Sequence, residues 1–131
     1  MDTRRKNSRK RQAILEALCA TREHPTAEML YQQLKPDYPE LSLGTVYRNL
    51  GVLTENREIS NVKLPAADRY DCRIDYHYHL LCTECNKVFD APHIYHREFD
   101  EKAAEDTGFL IKRHRVVFEG VCPECRKKMP E

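Results

Sequence analysis

The sequence has no tryptophan, only four glycines among its 131 residues, and no apolar run longer than a few residues. A helix that crosses a bilayer needs roughly 20 apolar residues, so no membrane span is predicted. The scarcity of glycine and the lack of repeats favour a compact chain, whose length suits one ordinary domain or two small ones. The basic N-terminus has no apolar segment behind it, so we expect no secretory signal and a cytoplasmic location.

Neither sign of charge is in excess, because 22 Lys and Arg residues balance 21 Asp and Glu residues. The distribution is uneven, however. Six of the eight residues from Arg4 to Arg11 are basic, while the main acidic cluster lies between Glu98 and Asp106. This pattern is compatible with a face that meets phosphate, and equally with two solvated surfaces. The net charge of +1 therefore does not exclude a nucleic-acid partner.

Four of the six cysteines form two Cys-x-x-Cys pairs, Cys82 with Cys85 and Cys122 with Cys125. Each pair can direct two sulfurs at one ion from a tight turn, and two pairs complete a tetrahedral site that suits Zn²⁺. Four protein ligands leave no open position, so we predict structural zinc. A thioredoxin-like dithiol is the alternative, although two pairs without a βαβ pattern favour zinc.

The other two cysteines do not belong to such pairs. A reducing cytosol disfavours a framework of disulfides. Cys19 lies on the apolar stripe of the first predicted helix, so we predict a small core residue there. Cys72 lies next to possible metal ligands, and the sequence leaves its role open.

The order of predicted elements indicates two small α+β domains, residues 1–70 and 71–131. In the first, helices are predicted from Ser8 to about Arg22, from Thr26 to about Lys35 and from Ser42 to about Glu55. Two short extended runs near residues 59–64 and 69–71 follow as a hairpin, which is the order of a winged helix-turn-helix. In the second, strands are predicted at residues 78–81, 87–91 and 109–118, and a helix at 94–107 that Gly108 stops.

A second group of possible ligands consists of histidine and aspartate. His77 and His79 alternate on a predicted strand, so both imidazoles lie on one face. Asp71, Asp90 and His24 are further candidates. Mixed nitrogen and oxygen ligation suits Fe²⁺, Mn²⁺ or Zn²⁺ without choosing among them, and a chance arrangement on the surface is the alternative.

Five motifs occur in the order found in one known family: His24–Glu28, Ser42–Leu50, Arg69–Asp71, His77–Cys85 and Gly120–Cys125. Over nearly its whole length the sequence resembles the ferric uptake regulator (Fur) family of metal-dependent bacterial repressors. The resemblance implies an N-terminal winged helix, a C-terminal α/β dimerisation domain and zinc on the four cysteines.

Within that family the chain is most similar to the peroxide-responsive (PerR-type) branch. The regulatory ligands of that branch correspond here to His24, Asp71, His77, His79 and Asp90. The resemblance implies Fe²⁺ or Mn²⁺ at this site, with Zn²⁺ also possible. Iron-sensing members more often have Glu at the position of Asp90, and zinc-sensing members tend to have Cys near that of Asp71. Iron- and zinc-responsive repressors therefore remain alternatives.

The implied function is that of a homodimeric repressor, not an enzyme, which leaves its double-stranded DNA operator when H₂O₂ oxidises His24 or His77. The third predicted helix would enter the DNA. Candidate contacts to bases or phosphates on that helix are Thr45, Tyr47, Arg48 and Asn49. Outside this family, a zinc-ribbon protein-interaction module without DNA binding is the alternative function.

The chain differs from the family pattern at two places. Members usually begin with an additional helix, whereas only seven residues precede Ser8, so we expect the segment Arg4–Lys6 to take over its phosphate contacts. Tyr76 and Tyr78 stand where some relatives have further ligands. We therefore expect no additional metal site, and His114 is interpreted as a packing residue or an auxiliary ligand.

Overall fold

The computed structural model describes residues 3–130, and their side chains from Arg9 onward. The chain divides into two compact units, the first ending at Ile74 and the second beginning at Asp75. The first unit contains α1 (Thr3–Cys19), α2 (Ala27–Leu34), α3 (Leu43–Glu55), β1 (Ser60–Val62) and β2 (Arg69–Asp71). The second contains β3 (His79–Cys82), β4 (Val88–Asp90), α4 (Arg97–Thr107), β5 (Val117–Gly120) and α5 (Pro123–Arg126). In the part of the chain thus described, every helix is too short or too polar to cross a bilayer.

The first unit is a three-helix bundle with a two-stranded wing. The predicted N-caps of α2 and α3 are confirmed: the Thr26 hydroxyl accepts a hydrogen bond from the Met29 amide, and Ser42 accepts one from the Thr45 amide. Each cap satisfies an amide that the first helical turn leaves without a partner. β1 and β2 pair antiparallel, with Ser60 opposite Asp71. The predicted order of three helices and a hairpin is thereby confirmed.

The first helix differs from its prediction at both ends. The predicted N-cap at Ser8 is wrong, because α1 already begins at Thr3 and ends at Cys19 rather than near Arg22. Lys and Arg are good helix formers, so the basic segment before Ser8 continues the helix. The side chains of Arg4–Lys6, which were expected to meet phosphate, lie outside the described part of the structure.

One apolar core holds the three helices and the wing together. Its fully buried members come from α1, α2, α3 and the chain that follows them, namely Ile14, Leu18, Leu30, Leu41, Val46, Leu50, Leu53 and Ile59. Leu34 and Tyr70 complete it at slightly greater exposure. The spacing of Val46, Leu50 and Leu53 places one face of α3 against this core, as the periodicity predicted. The opposite face of α3 is left to solvent.

The second unit is built on a three-stranded sheet in the order β4-β3-β5. β4 runs antiparallel to β3, with Asp90 opposite His79, and β5 runs parallel to β3. α4 ends where predicted, because Gly108 adopts a left-handed φ of 77° as its C-cap. The fold class is therefore α+β, as predicted.

The predicted strand over residues 109–118 is wrong over most of its length. Only Val117–Gly120 forms a strand, and residues 109–116 are irregular. Phe109 and Leu110 are 69% and 89% exposed, so no sheet within this chain buries them. An apolar alternating run becomes a strand only where a neighbouring strand can pair with it.

The buried face of α3 gives a test of the first core. We expect Leu50→Ala to lower the free energy of unfolding of the first unit by about 2–5 kcal/mol, because it leaves a cavity at a fully buried site. Tyr47→Ala, on the exposed face of the same helix, is the matched control and should change it by about 0.5 kcal/mol or less. Chemical denaturation followed by circular dichroism measures both. Equal losses in the two variants would contradict the described packing of α3.

Candidate metal centres

The four paired cysteines meet in the second unit. Cys82 ends β3, Cys85 follows it in a turn, and Cys122 and Cys125 lie at the N-cap and within α5. All four sulfurs lie within 4.8 Å of one another. Two turns separated by β4, α4 and β5 thus converge, because β5 pairs alongside β3 and returns the chain to the first pair.

The hydrogen bonds around Cys82 favour its thiolate. The backbone amides of Cys122 and Cys85 donate to its sulfur at 3.3 and 3.4 Å, and they lower the pKa of Cys82 to about 6. Neighbouring sulfurs, that of Cys122 first, raise the pKa of Cys125 to about 12. A thiolate at Cys125 is therefore unfavourable unless a cation is present. A bound dication supplies that charge, so the four-sulfur donor set fits Zn²⁺.

A second donor set in the same unit joins His77, His79 and Asp90. Both imidazoles are buried, and their rings lie 4.4 Å apart. The Nε2 atoms of His77 and His79 lie 2.8 and 3.5 Å from Oδ1 of Asp90. The antiparallel register of β3 and β4 causes this arrangement, since it sets Asp90 opposite His79.

One hydrogen bond fixes the orientation of the His77 ring. Its Nδ1 lies 2.7 Å from the backbone carbonyl of Asp75, and only a protonated Nδ1 can donate there. Nε2, the atom that faces Asp90, is then the ring nitrogen available to an ion. A histidine whose far nitrogen donates to a carbonyl is the usual arrangement of a metal ligand in proteins.

In the first unit His24 lies beside Asp71. Its Nε2 is 3.2 Å from Oδ2 of Asp71, and the imidazole is 4% exposed. His24 holds a left-handed φ of 54°, which non-glycine residues seldom adopt and which often marks a functional site. Two bonds attach β2 to this segment: the Tyr70 amide donates to the Pro25 carbonyl, and Arg69 donates to the His24 carbonyl. Each unit therefore carries part of the predicted regulatory ligand set.

The predicted core role of Cys19 is wrong. Cys19 is exposed at the last residue of α1 and forms a disulfide with Cys72, with their Cα atoms 5.1 Å apart. The apolar stripe of α1 is carried by Ile14 and Leu18, and Cys19 lies outside it. Spacing could not reveal this pair, because 53 residues separate the two cysteines and only the fold brings them together.

The predicted DNA contacts on α3 divide into two kinds. Tyr47 and Arg48 are exposed, whereas Thr45 and Asn49 are buried. The Asn49 side chain accepts a hydrogen bond from Nε of Arg11 at 3.0 Å and donates one to the Thr45 carbonyl, so it links α3 to α1. The four assignments remain predictions, and the exposed pair is the one that a ligand can reach without a change in packing.

A polar network that the sequence did not predict surrounds His114. Its Nδ1 lies 2.8 Å from Asp100, and its Nε2 lies 2.6 Å from the hydroxyl of Tyr78. The hydroxyl of Tyr95 donates to the same carboxylate; this bond, followed by the one from His114, lowers the pKa of Asp100. Both ring nitrogens of His114 thus have protein partners, which supports the packing role over that of an auxiliary ligand.

The architecture of a winged-helix unit followed by a sheet unit with a four-cysteine cluster defines a class of two-domain regulators. The model of the ferric uptake regulator family matches residues 2–119, and the chain belongs to that family. It is 39% identical over 122 residues to the peroxide-responsive repressor PerR of Staphylococcus saprophyticus, covering 90% of this chain and 80% of the relative. It is 36% identical over 119 residues to the PerR of Staphylococcus aureus, with the same coverage.

Solved structures agree on the fold. The peroxide stress regulator of Campylobacter jejuni superposes with a TM-score of 0.71 at 26% identity, covering 95% of this chain and all of that one. The ferric uptake regulator of Helicobacter pylori superposes with a TM-score of 0.73 at 19% identity, covering 90% of this chain and 80% of that one. These relatives are regulators and not enzymes, in agreement with the prediction for this chain.

The four-sulfur cluster gives the second prediction. We expect Cys122→Ser to lose the tightly bound zinc and to lower the melting temperature of the second unit, because a three-sulfur remnant cannot complete the tetrahedral site. Elemental analysis and a thermal melt measure the two effects. Cys19→Ser is the control for cysteine replacement as such and should retain the zinc. Full zinc content in Cys122→Ser would exclude the four-cysteine site.

Proposed function

We propose that this chain is a metal-dependent, DNA-binding transcriptional repressor that senses peroxide through Fe²⁺, or Mn²⁺, on a histidine and aspartate site. The observation that carries the proposal is the pairing of buried imidazoles with carboxylates in both units. Membership of the ferric uptake regulator family and the names of the peroxide-responsive relatives support it.

The proposed regulatory ligands are His24 and Asp71 of the first unit and His77, His79 and Asp90 of the second. Within each unit the imidazoles already lie beside a carboxylate, at 2.8–3.5 Å between the nearest nitrogen and oxygen atoms. Neutral imidazoles and carboxylates suit Fe²⁺, Mn²⁺ and Zn²⁺. A donor set with no sulfur differs from the cysteine cluster, so the two sites can select different metals.

A single ion with ligands from both units would couple metal binding to DNA binding. In this proposal the bound ion favours the state of the protein that binds DNA over the state that does not. Shifting such an equilibrium from mostly inactive to mostly active needs about 5.5 kcal/mol of differential metal affinity. A complete site offers the ion five ligands, whereas an incomplete one offers two or three. This difference in ligand number can supply the required difference in metal affinity.

The exposed face of α3 is the proposed DNA-reading surface. Tyr47 is 53% exposed, and Arg48 lies next to it. The Arg48 guanidinium is held by a hydrogen bond to the Thr45 hydroxyl at 3.1 Å, which in turn contacts the Ser42 N-cap. Arg48 is thus the proposed contact to a base or phosphate, with Thr45 orienting its guanidinium and Asn49 linking α3 to α1.

Loss of DNA binding is proposed to follow oxidation of a ligand histidine. Bound Fe²⁺ supplies the one-electron reduction of H₂O₂, which Mn²⁺ performs poorly. The imidazoles of His24 and His77 are buried beside carboxylates. Addition of an oxygen atom to a carbon of either ring would make its nitrogens amide-like and therefore poor metal donors. The ligand set then becomes incomplete and the active arrangement is lost.

The partner of the second unit is proposed to be a second copy of the chain, as in the predicted homodimer. This unit exposes large apolar side chains that a solvated surface does not explain: Leu80, Phe89, Ile94, Phe99, Phe109, Leu110 and Phe118. Three of them, Leu80, Phe89 and Phe118, line one apolar groove of about 350 Å³. Contiguous apolar surface of this kind usually marks an interface.

We also propose a cytoplasmic location for the protein.

Sensing of iron or zinc by the same site is the second candidate function. Asp90 in place of Glu favours the peroxide-responsive branch over the iron-sensing one. Cys72, the neighbour of Asp71, is the feature that favours zinc sensing. Because Cys72 is engaged in a disulfide, it is not available as a thiolate ligand in this state.

The alternative of a zinc-ribbon interaction module predicts no gel shift of any promoter fragment with or without metal.

The peroxide proposal can be tested by comparing the Fe²⁺ and Mn²⁺ forms. We expect dilute H₂O₂ to abolish operator binding by the Fe²⁺ form and to leave the Mn²⁺ form largely active. The oxidised peptides should contain His24 or His77 and one additional oxygen atom. Gel shifts before and after treatment, with mass spectrometry, measure both effects. Equal loss in both metal forms, or unmodified histidine peptides, would contradict peroxide sensing at this site.

The DNA-reading surface gives a further prediction. We expect Arg48→Ala to weaken binding of a metal-dependent promoter fragment by about 5- to 100-fold and to reduce the salt dependence of binding. Lys102→Ala removes an equally exposed positive charge from α4 in the second unit and should leave the affinity unchanged. Fluorescence anisotropy at several salt concentrations separates the two. The same weakening in both variants would indicate a general charge effect.

A further inference from the structure

The disulfide between Cys19 and Cys72 joins the two chain segments that carry the metal ligands of the first unit. Cys19 is the last residue of α1, five residues before His24. Cys72 directly follows Asp71, the last residue of β2. The bond therefore closes a loop that contains the whole helix-turn-helix and wing.

Two hydrogen bonds besides the disulfide connect these chain segments. The amide of Tyr70 donates to the Pro25 carbonyl at 3.0 Å, and Arg69 donates to the His24 carbonyl at 3.3 Å. These contacts hold β2 against the segment after α1, near both cysteines. A Cα–Cα distance of 5.1 Å is within the usual range for disulfides.

The position of the pair allows exchange with solvent reagents. Cys19 is exposed, and Cys72 is half-buried. A peroxide can reach the Cys19 sulfur, and so can a dithiol reductant. The four zinc-site cysteines belong to the other unit and are not involved in this bond.

We propose that Cys19 and Cys72 form a reversible thiol–disulfide switch that sets the metal affinity of the His24–Asp71 pair. The inference rests on the proposed function, because it assigns a regulator to the same site. In the disulfide state the donor atoms of His24 and Asp71 lie 3.2 Å apart, a separation that two ligands at about 2.1 Å from one ion show. The bond restrains both segments, so less ordering is required when an ion binds.

The redox chemistry balances with a peroxide as oxidant. H₂O₂ oxidises one thiol to a sulfenic acid and releases water, and the second thiol sulfur then displaces a second water molecule to form the disulfide. Two thiols and one H₂O₂ thus give one disulfide and two waters. A dithiol reductant returns two electrons and two protons to the pair and becomes a disulfide itself.

The test compares the two redox states of the zinc-loaded protein with Mn²⁺ as the probe, because Mn²⁺ does not oxidise the histidines. One sample is treated with H₂O₂ in the presence of a chelator and then desalted, and the other is reduced with a phosphine. We expect a Cys19–Cys72 peptide only in the first sample. We expect Mn²⁺ to bind the reduced sample about 3- to 10-fold more weakly.

Variants identify the cysteines responsible. Cys19→Ser, and the double variant Cys19→Ser with Cys72→Ser, should bind Mn²⁺ like the reduced wild type after either treatment, with full zinc content. Absence of the Cys19–Cys72 peptide, equal Mn²⁺ affinities in the two wild-type samples, or a redox effect that persists in the double variant would overturn the switch.

Gel shifts on the same samples distinguish failure of the switch from failure of the proposed function. If Mn²⁺ affinity follows the redox state but no promoter fragment is shifted, the repressor proposal fails and the switch is supported. If Mn²⁺ induces a shift but both redox states bind Mn²⁺ equally, the repressor proposal is supported and the switch fails.

Discussion

Burial of imidazole beside carboxylate is the constraint on which both units depend. His24, His77 and His79 are buried, and a buried polar ring without a partner costs free energy that a small domain cannot easily offset. Each ring lies within 3.5 Å of an aspartate oxygen. The chain therefore has to hold these groups in fixed register even before an ion binds. Much of the local structure around them serves that requirement.

The two units hold their imidazoles beside carboxylates in different ways. In the second, the antiparallel register of β3 and β4 sets Asp90 opposite His79, and the Asp75 carbonyl orients the ring of His77. In the first, no strand pairing reaches His24, and the residue takes a left-handed conformation that two hydrogen bonds from β2 support. Ordering the segment after α1 in this way also explains why Cys72 arrives beside Cys19. The disulfide is thus a consequence of how Asp71 is positioned.

The sequence predicted those features that depend on local pattern or fixed spacing. The caps at Thr26 and Ser42, the apolar face of α3 and the two Cys-x-x-Cys pairs each need only a few neighbouring residues. The prediction of a strand over residues 109–118 was wrong over most of its length, because a strand forms only where a neighbouring strand can pair with it. The exposed apolar side chains there, Phe109 and Leu110, suit a neighbour that this chain does not itself provide. The predicted start of α1 at Ser8 was wrong because the helix propensity of the preceding residues outweighed the weak N-cap signal of Ser8.

The cysteines show the same limit of prediction from local sequence pattern. Four of them were predicted to form one cluster, and their sulfurs do lie together, because a spacing of two residues already restricts the geometry of each pair. Cys19 was assigned from its helical position, and Cys72 had no assignment at all. Their relationship appears only when α1 and β2 are packed together. A disulfide of this separation mainly restricts the unfolded chain, and it also restrains the native segments on either side of it. Because those segments carry His24 and Asp71, thiol chemistry and metal ligation in the first unit involve the same two stretches of backbone.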